Sequence, residues 1–461
     1  MRVVALLLAS LAVPAFAQIQ AEIPPPSQTA QGEVSVTIYN GNLALVQDTR
    51  QLAIPSGRSR QEFPDVSAQI QPQTVTLNGA GLGIVEQNFD FDLLSPAALM
   101  QKAVGETITL VRTNPASGQE TRERARVLAA NGGVVLQIGQ RIEVLRDDGL
   151  PVRVIFDRVP ENLRARPTLS VTVQSERAGR RPVTLTYLTP GLGWQADYVA
   201  LFDEDAGRMD VQGWITLTNN SGTPYNAADV LLVAGEPGGG GARAPRRGNL
   251  RQAGTETSDR ERLGDYYLYP LPERTTIANR QTKQVSFLDV ANTPAQRAYE
   301  YRVGWLATAN EPQSANTVLR FSSSRDQGLG DALPAGTVRV YQRDARGNPQ
   351  FVGESDIGHT PMGSELGLVT GQAFDVKVQP VVERRERMSG NRWRTTMRYT
   401  LSNARPDAVT VDLLQSGLWG DTRVVEESAT SQRRSADEAL WRVPVPANGE
   451  AVVTATFDTR V

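Results

Sequence analysis

Apolar and polar side chains alternate along most of the chain. A period of two predicts β-strands that bury one face and wet the other. Val34, Val36 and Ile38 alternate with Ser35 and Thr37; Asn40-Gly41 follows, then Leu43 and Leu45. Asn-Gly between two such runs predicts a hairpin, because both residues tolerate the positive φ of a tight turn. Glycine-bounded strands are expected at 73–78 and 82–89. Leu169, Val171 and Val173, then Val183, Leu185 and Tyr187, keep the same period. So do Phe374, Val376 and Val378, the run Trp393, Thr395, Met397, Tyr399 and Leu401, and the run Val409, Val411 and Leu413. Between these, strands are expected at 283–288, 299–303, 318–322 and 337–342, and a last one at 452–457.

One segment reads as a helix. Ser95 is placed to cap it, Pro96 suits its first turn, residues 97–103 are good formers and Gly105 stops it, giving a helix over 96–104. After it, five short apolar runs at 107–112, 125–128, 134–138, 140–144 and 152–156 are separated by turn residues such as Asn131-Gly132-Gly133, which predicts a small barrel-like module. No helical period joins successive strands, so no parallel sheet built on helical crossovers is expected. The fold class is therefore all-β: antiparallel, immunoglobulin-like β-sandwich domains with a small β-barrel-like module and one short helix. A faint repeat runs through it. Leu217-Thr218-Asn219 leads to Pro224 and Leu231-Leu232, and Leu401-Ser402-Asn403 leads to Pro406 and Leu413-Leu414. Two related sandwich units would produce that echo.

Composition narrows the chemistry. The chain has 461 residues, formal charge −2, 40% hydrophobic and 21% charged residues, no cysteine and one histidine. The length suggests several domains, and near-neutrality argues against a nucleic-acid binder. Without cysteine there are no disulfides, thiol nucleophiles or zinc–thiolate sites. A single histidine, His359, rules out sites that need two imidazoles.

The N-terminus adds a compartment. Arg2, an apolar run over 3–13 and Ala15-Phe16-Ala17 have the layout of a secretory signal peptide, 1–17, too short in its apolar part to span a membrane. Residues 18–33, with Pro24-Pro25-Pro26, read as an extended leader. The expected organisation continues with an N-terminal β-rich region at 34–165 that holds the helix and the small module. A central sandwich portion follows at 166–235, a Gly/Arg-rich linker or loop at 236–264, and a C-terminal sandwich region at 265–461. The protein is expected to be exported, to the periplasm or beyond, without a membrane span.

A longer pattern resembles a known family. Tyr187 to Tyr198 reads YLTPGLGWQADY, Gly213 to Gly222 reads GWITLTNNSG, and Leu231 to Gly235 reads LLVAG. Leu333 to Tyr341, Gly353-Glu354, Gly371 to Asp375 and Tyr399 to Asn403 continue it. In order and spacing these are similar to the uncharacterised secreted bacterial family called domain of unknown function 4139, related to mucoidy-inhibitor-like proteins. The resemblance covers roughly 187 to the C-terminus and implies an all-β fold. The family has no agreed activity, so no functional residue carries over. Mucoidy-inhibitor-like members carry a long coiled coil ahead of this domain, whereas here the preceding region is β-rich.

Candidate chemistry is sparse. Trp194 and Tyr198, four residues apart, are a candidate aromatic contact for a sugar, set against the commoner fate of sandwich aromatics in the core. Arg392, Arg394 and Arg398 share one strand face and are a candidate anion-binding face, reinforced by Arg384, Arg385 and Arg387; pairing with Glu383, Glu386 or facing acids is the competing reading. His359, with Asp356 three residues before it and Ser364 five after, could be imagined as a triad, but no G-x-S-x-G elbow marks a nucleophile and a surface-loop histidine is the expected reading. Asp203-Glu204-Asp205 reads as a hairpin turn rather than a calcium loop. No catalytic, cofactor-binding or metal-ligating residue is assigned. The expected function is a non-enzymatic envelope or extracellular interaction or structural protein, with envelope proteins or acidic glycans as partners. A carboxylate-dependent glycan hydrolase and a carbohydrate-binding module are the alternatives.

Overall fold

The computed structural model describes residues 29–90, 95–145, 152–158, 163–235 and 250–460. The expected signal peptide at 1–17, residues 18–28 of the expected leader at 18–33, and the glycine run at 238–241 lie outside them. The fold is all-β, with one α-helix among the described residues. No helix there is long and apolar enough to cross a membrane.

Two sandwiches share their longest strands. In the first, Glu33–Tyr39, Leu43–Ile54, Gly179–Thr189 and Tyr225–Ala234 form one sheet, and Leu192–Asp203, Arg208–Asn219 and Gly336–Arg343 belong to the other. Alternation decides which side faces in: Val34, Val36 and Ile38 meet Leu192, Ala196, Tyr198, Ile215 and Leu217 in one core. That core runs without a break from residues before 165 to residues after it, so 33–54 and 166–234 are one folded unit. In the second sandwich, Arg392–Asn403 and Gly449–Arg460 face Val409–Gln415 and Glu438–Val445 around Trp441, Tyr399, Met397 and Phe457.

Gln281–Val303, 23 residues, and Glu365–Ser389, 25 residues, pass from the first sandwich into the second. Sequence pattern splits each into separate strands, because bulges at Gly213/Trp214 and Thr317/Val318 reset the alternation of their ladders. The continuity is visible only in the pairing.

Among the described residues, three strand pairs run parallel in these otherwise antiparallel sheets: Ser35 with Asp229, Ala196 with Gly336, and Tyr299 with Val411 begin them. They join strands distant in sequence, so no helical crossover is needed and no local pattern announces them. The first hairpin also differs in its turn. Tyr39 pairs with Leu43 across a loop of three residues, and the positive φ falls at Asn42, at 56°.

The repeat is real at the level of hydrogen bonds. Asn219 Nδ2 donates to Thr223 O (2.9 Å) and Ile277 O (3.1 Å), while its Oδ1 accepts from Ser221 N (3.0 Å). Asn403 Nδ2 donates to Asp407 O (2.9 Å) and Pro446 O (3.0 Å), and its Oδ1 accepts from Arg405 N (3.0 Å). Each asparagine ends a hairpin strand and pins the corner at which the chain crosses to the opposite sheet. The next strand is flanked in both copies by one parallel neighbour, Glu33–Tyr39 or the end of Gln281–Val303.

The helix spans Pro96–Lys102, two residues shorter than expected, with Ser95 Oγ accepting from Ala98 N at 3.1 Å. It covers a curled sheet of five strands between Thr107 and Ile155, with Leu110, Ala125, Val127 and Leu136 buried inside. Arg112, Glu123, Arg141 and Glu143 close one end of the curl as a ring of ion pairs. Arg112 and Glu143 lie on strands that are not neighbours in the sheet, so the ring marks how far it has rolled up.

Beyond the glycine run, Leu250–Gln252 pairs with Glu365 and Leu366. Gly254 passes so close to Gly363 that an added Cβ would lie 2.2 Å from its carbonyl carbon. Arg251 then reaches Asp412 at 2.8 Å and Glu300 at 3.6 Å. Asp412 also binds Arg320, so one buried carboxylate ties this segment to both long-strand neighbourhoods.

Candidate tryptophan groove

At the far end of the second sandwich, three tryptophans converge. Trp393 lies on Arg392–Asn403 in the alternating series that continues through Thr395, Met397 and Tyr399. Met397 and Tyr399 are fully buried, but Trp393 stands nearer the hairpin tip, past the end of the core, and is 36% exposed. Trp305 follows the end of Gln281–Val303, and Trp419 follows the end of Val409–Gln415. Their rings stack with centroids 4.6 Å apart and planes 5° from parallel, and Trp419 is 61% exposed.

The loops that carry this stack are fixed by backbone bonds. Ser416 donates from both N (2.9 Å) and Oγ (2.8 Å) to Val303 O. Thr422 Oγ1 donates to Trp419 O at 2.9 Å. Gly417 sits beneath the two rings at φ 75°; a Cβ there would lie 2.4 Å from Gly304 O and 3.1–3.2 Å from each tryptophan. Only glycine lets the two loops approach closely enough for the rings to stack.

Trp305, Leu306, Arg385, Trp393, Thr395 and Thr459 enclose a groove of ≈ 260 Å³. Aromatic faces, hydroxyls and a guanidinium line it together. A pyranose has that same division: a face of C–H groups that suits an electron-rich ring, and a rim of hydroxyls that needs hydrogen-bond partners.

Of the residues singled out in the sequence, Arg385 lines this groove and the main candidates fall elsewhere. Trp194 and Tyr198 are 5% and 1% exposed and belong to the first core, so they offer no aromatic contact to a ligand. Tyr198 packs edge-on to Phe287 and donates its hydroxyl to Pro334 O at 2.8 Å; burial pushes that phenol well above its ordinary range. On a sandwich strand, inward positions are filled by the largest apolar rings.

Arg392, Arg394 and Arg398 do share the outer face of their sheet, but two of the three are neutralised there. Arg394 forks onto Asp458 at 2.7 and 2.9 Å, and Arg398 meets Glu383 at 3.4 Å. Arg384 pairs with Glu386 on the same face. Two paired guanidinium groups do not make an anion-binding face. The Arg394 hydrogen bonds hold the Asp458 carboxyl below the usual carboxylate range. Because the folded pKa is the lower one, Asp458 stabilises the fold fully above its unfolded value near ~3.9 and loses that contribution as pH falls through the folded value. An Asp458→Asn variant is therefore expected to be less stable than wild type at pH 6, with the gap narrowing as pH is lowered to 3 in urea titrations. A gap of the same size at both pH values would contradict this.

His359 Nδ1 accepts from Ala335 N at 3.2 Å, while the Ser364 hydroxyl is buried and donates to Pro361 O at 2.6 Å, which commits that hydroxyl to the backbone. Asp203 Oδ1 accepts from Ala206 N and Glu204 pairs with Arg297, which makes Asp203–Asp205 a hairpin turn.

Trp305 and Trp419 escaped sequence reading, because neither sits in an alternating run. A signal was present: each lies in a glycine-containing loop, Gly304-Trp305 and Gly417-Leu418-Trp419-Gly420, where a large ring has no strand to bury it.

A comparison with protein-family models gives no match, and neither does a comparison with curated proteins.

Proposed function

We propose that the protein is an exported, non-enzymatic binding protein that holds a carbohydrate chain in the tryptophan groove. The observation that carries this reading is the Trp305–Trp419 stack beside the half-open face of Trp393. Exposing so much aromatic surface on a folded domain has a cost in water that a ligand removes. The export setting is supported by the signal-peptide layout of residues 1–17, and the similarity to domain of unknown function 4139 supports an extracytoplasmic sandwich protein.

The test is retention on immobilised polysaccharides followed by affinity electrophoresis. Trp393→Ala is expected to weaken retention about tenfold, the size of one lost stacking partner with its buried area. Phe374→Ala, which removes an aromatic ring 89% exposed on Glu365–Ser389 and outside the groove, is expected to change nothing. Equal retention of Trp393→Ala and wild type would remove the groove from consideration.

A further inference from the structure

The groove carries charge of one sign. We infer that its ligand is an acidic polysaccharide, whose carboxylates meet Arg385 and Arg387 while its sugar rings lie on the tryptophans; this rests on the glycan reading above.

Strand parity sorts the arginines of this hairpin into two sets. Arg385 pairs with Thr395 and Arg387 with Trp393, so both arginines project to the inner side of the sheet, the side of the groove. Arg384 and Glu386, one residue off, project to the outer side. The two sets are treated differently. Three of the four outer-face arginines, Arg384, Arg394 and Arg398, are each matched by a carboxylate. The inner pair is held by neutral acceptors. Arg385 Nη2 donates to Leu306 O and its Nε to Thr395 Oγ1 at 3.3 Å; Arg387 Nε donates to Gly390 O at 2.9 Å.

Among the described residues, neither Arg385 nor Arg387 forms an ion pair with a carboxylate. No acidic residue lines the groove. Carbonyl and hydroxyl partners orient a guanidinium without cancelling its charge. Two oriented positive charges therefore stand beside exposed tryptophan rings. Arg387 lies directly across the ladder from Trp393, at a Cβ separation of about 5 Å. A chain that stacks a sugar on Trp393 thus brings that sugar's ring substituents within reach of Arg387. A guanidinium fork matches a carboxylate in geometry, and such charge-assisted bonds are among the stronger ones available at a surface. A neutral glycan would leave both charges unanswered.

The experiment compares alginate, polygalacturonate and hyaluronate with their carboxyl-reduced forms, in which each uronate becomes the neutral sugar of the same backbone. The full chain is run in affinity electrophoresis at low and moderate salt. At least one acid form is expected to retain the protein about tenfold more strongly than its reduced form, with retention weakening as salt rises. Arg385→Gln combined with Arg387→Gln is expected to abolish that difference while leaving residual retention on the reduced polymer. Arg385→Lys combined with Arg387→Lys restores the charge and is expected to recover part of it, which separates charge from folding. Equal retention on acid and reduced forms overturns the acidic-ligand inference and leaves the groove reading standing. No retention on either form overturns both. Acid-selective retention that survives the double glutamine variant also overturns the inference, since the charge would then act elsewhere.

Discussion

Asp412→Ala is expected to lower the stability of the protein by about 3–5 kcal/mol. The carboxylate is only 1% exposed and stands between Arg251, at 2.8 Å, and Arg320, with Arg442 further out at 3.9 Å. Removing it leaves two partly buried guanidinium groups facing each other, with Glu300, 3.6 Å from Arg251, as the acid that remains beside them among the described residues. Burial already pulls the Arg320 guanidinium below its ordinary value, the sign of a charge that solvent does not fully support. The effect should reach beyond the site. Arg251 anchors the segment that pairs with Glu365 and Leu366, so its release should also raise proteolytic sensitivity near Leu250–Gln252. Urea unfolding measures the first effect and limited proteolysis the second. By contrast, Arg442→Ala, which removes an exposed side chain at long range, should cost little. A loss below about 1 kcal/mol for Asp412→Ala would mean that water replaces the carboxylate and that the ion cluster is not a structural tie.

Asn219→Ala and Asn403→Ala should each cost about 2–4 kcal/mol, and by similar amounts. Each side chain satisfies two backbone carbonyls and one backbone N–H at a buried corner. Alanine removes those bonds where water has little access, although Thr223 O keeps Ser221 Oγ as a donor at 3.2 Å. Aspartate should be no rescue. It keeps the acceptor for Ser221 N or Arg405 N, but it turns an anion toward the two carbonyls that the amide had satisfied. Chemical unfolding of the four single variants tests the pair. Strongly unequal losses at the two corners would show that the repeated hydrogen bonds do not do equal work. The similarity of these corners also explains why the fold can be built twice. The asparagine sets where a hairpin ends and where the next strand crosses to the facing sheet, and alternation then decides which face of each strand is buried.

Much of the fold was legible from local pattern, because strand faces, caps and turns are decided by neighbours in sequence. Alternation at Val34–Ile38, Val183–Tyr187 and Met397–Leu401 assigned the buried faces correctly, and Ser95 with Pro96 marked the start of the helix. The Asn219 and Asn403 echo was readable for the same reason: an asparagine bonded to backbone two to four residues away is a local device. The site was not legible in that way. On the strand Arg392–Asn403, parity separated Trp393 from Arg394 in sequence, but it did not say which side would meet acids. Asp458 lies 64 residues away, and it is the ladder with Gly449–Arg460 that brings it to Arg394.

The chain by itself determined that this protein is a stack of two-faced β-strands, because a period of two has no other way to bury its apolar half in water. It also limited the available chemistry through its missing cysteines and single histidine. Tertiary structure alone decided which arginines keep their charge and which tryptophans stay open. Neutralising a guanidinium needs a carboxylate within a few ångströms, and stacking two rings needs two loops to meet. Both are distances in space between residues far apart in sequence, which no local pattern encodes.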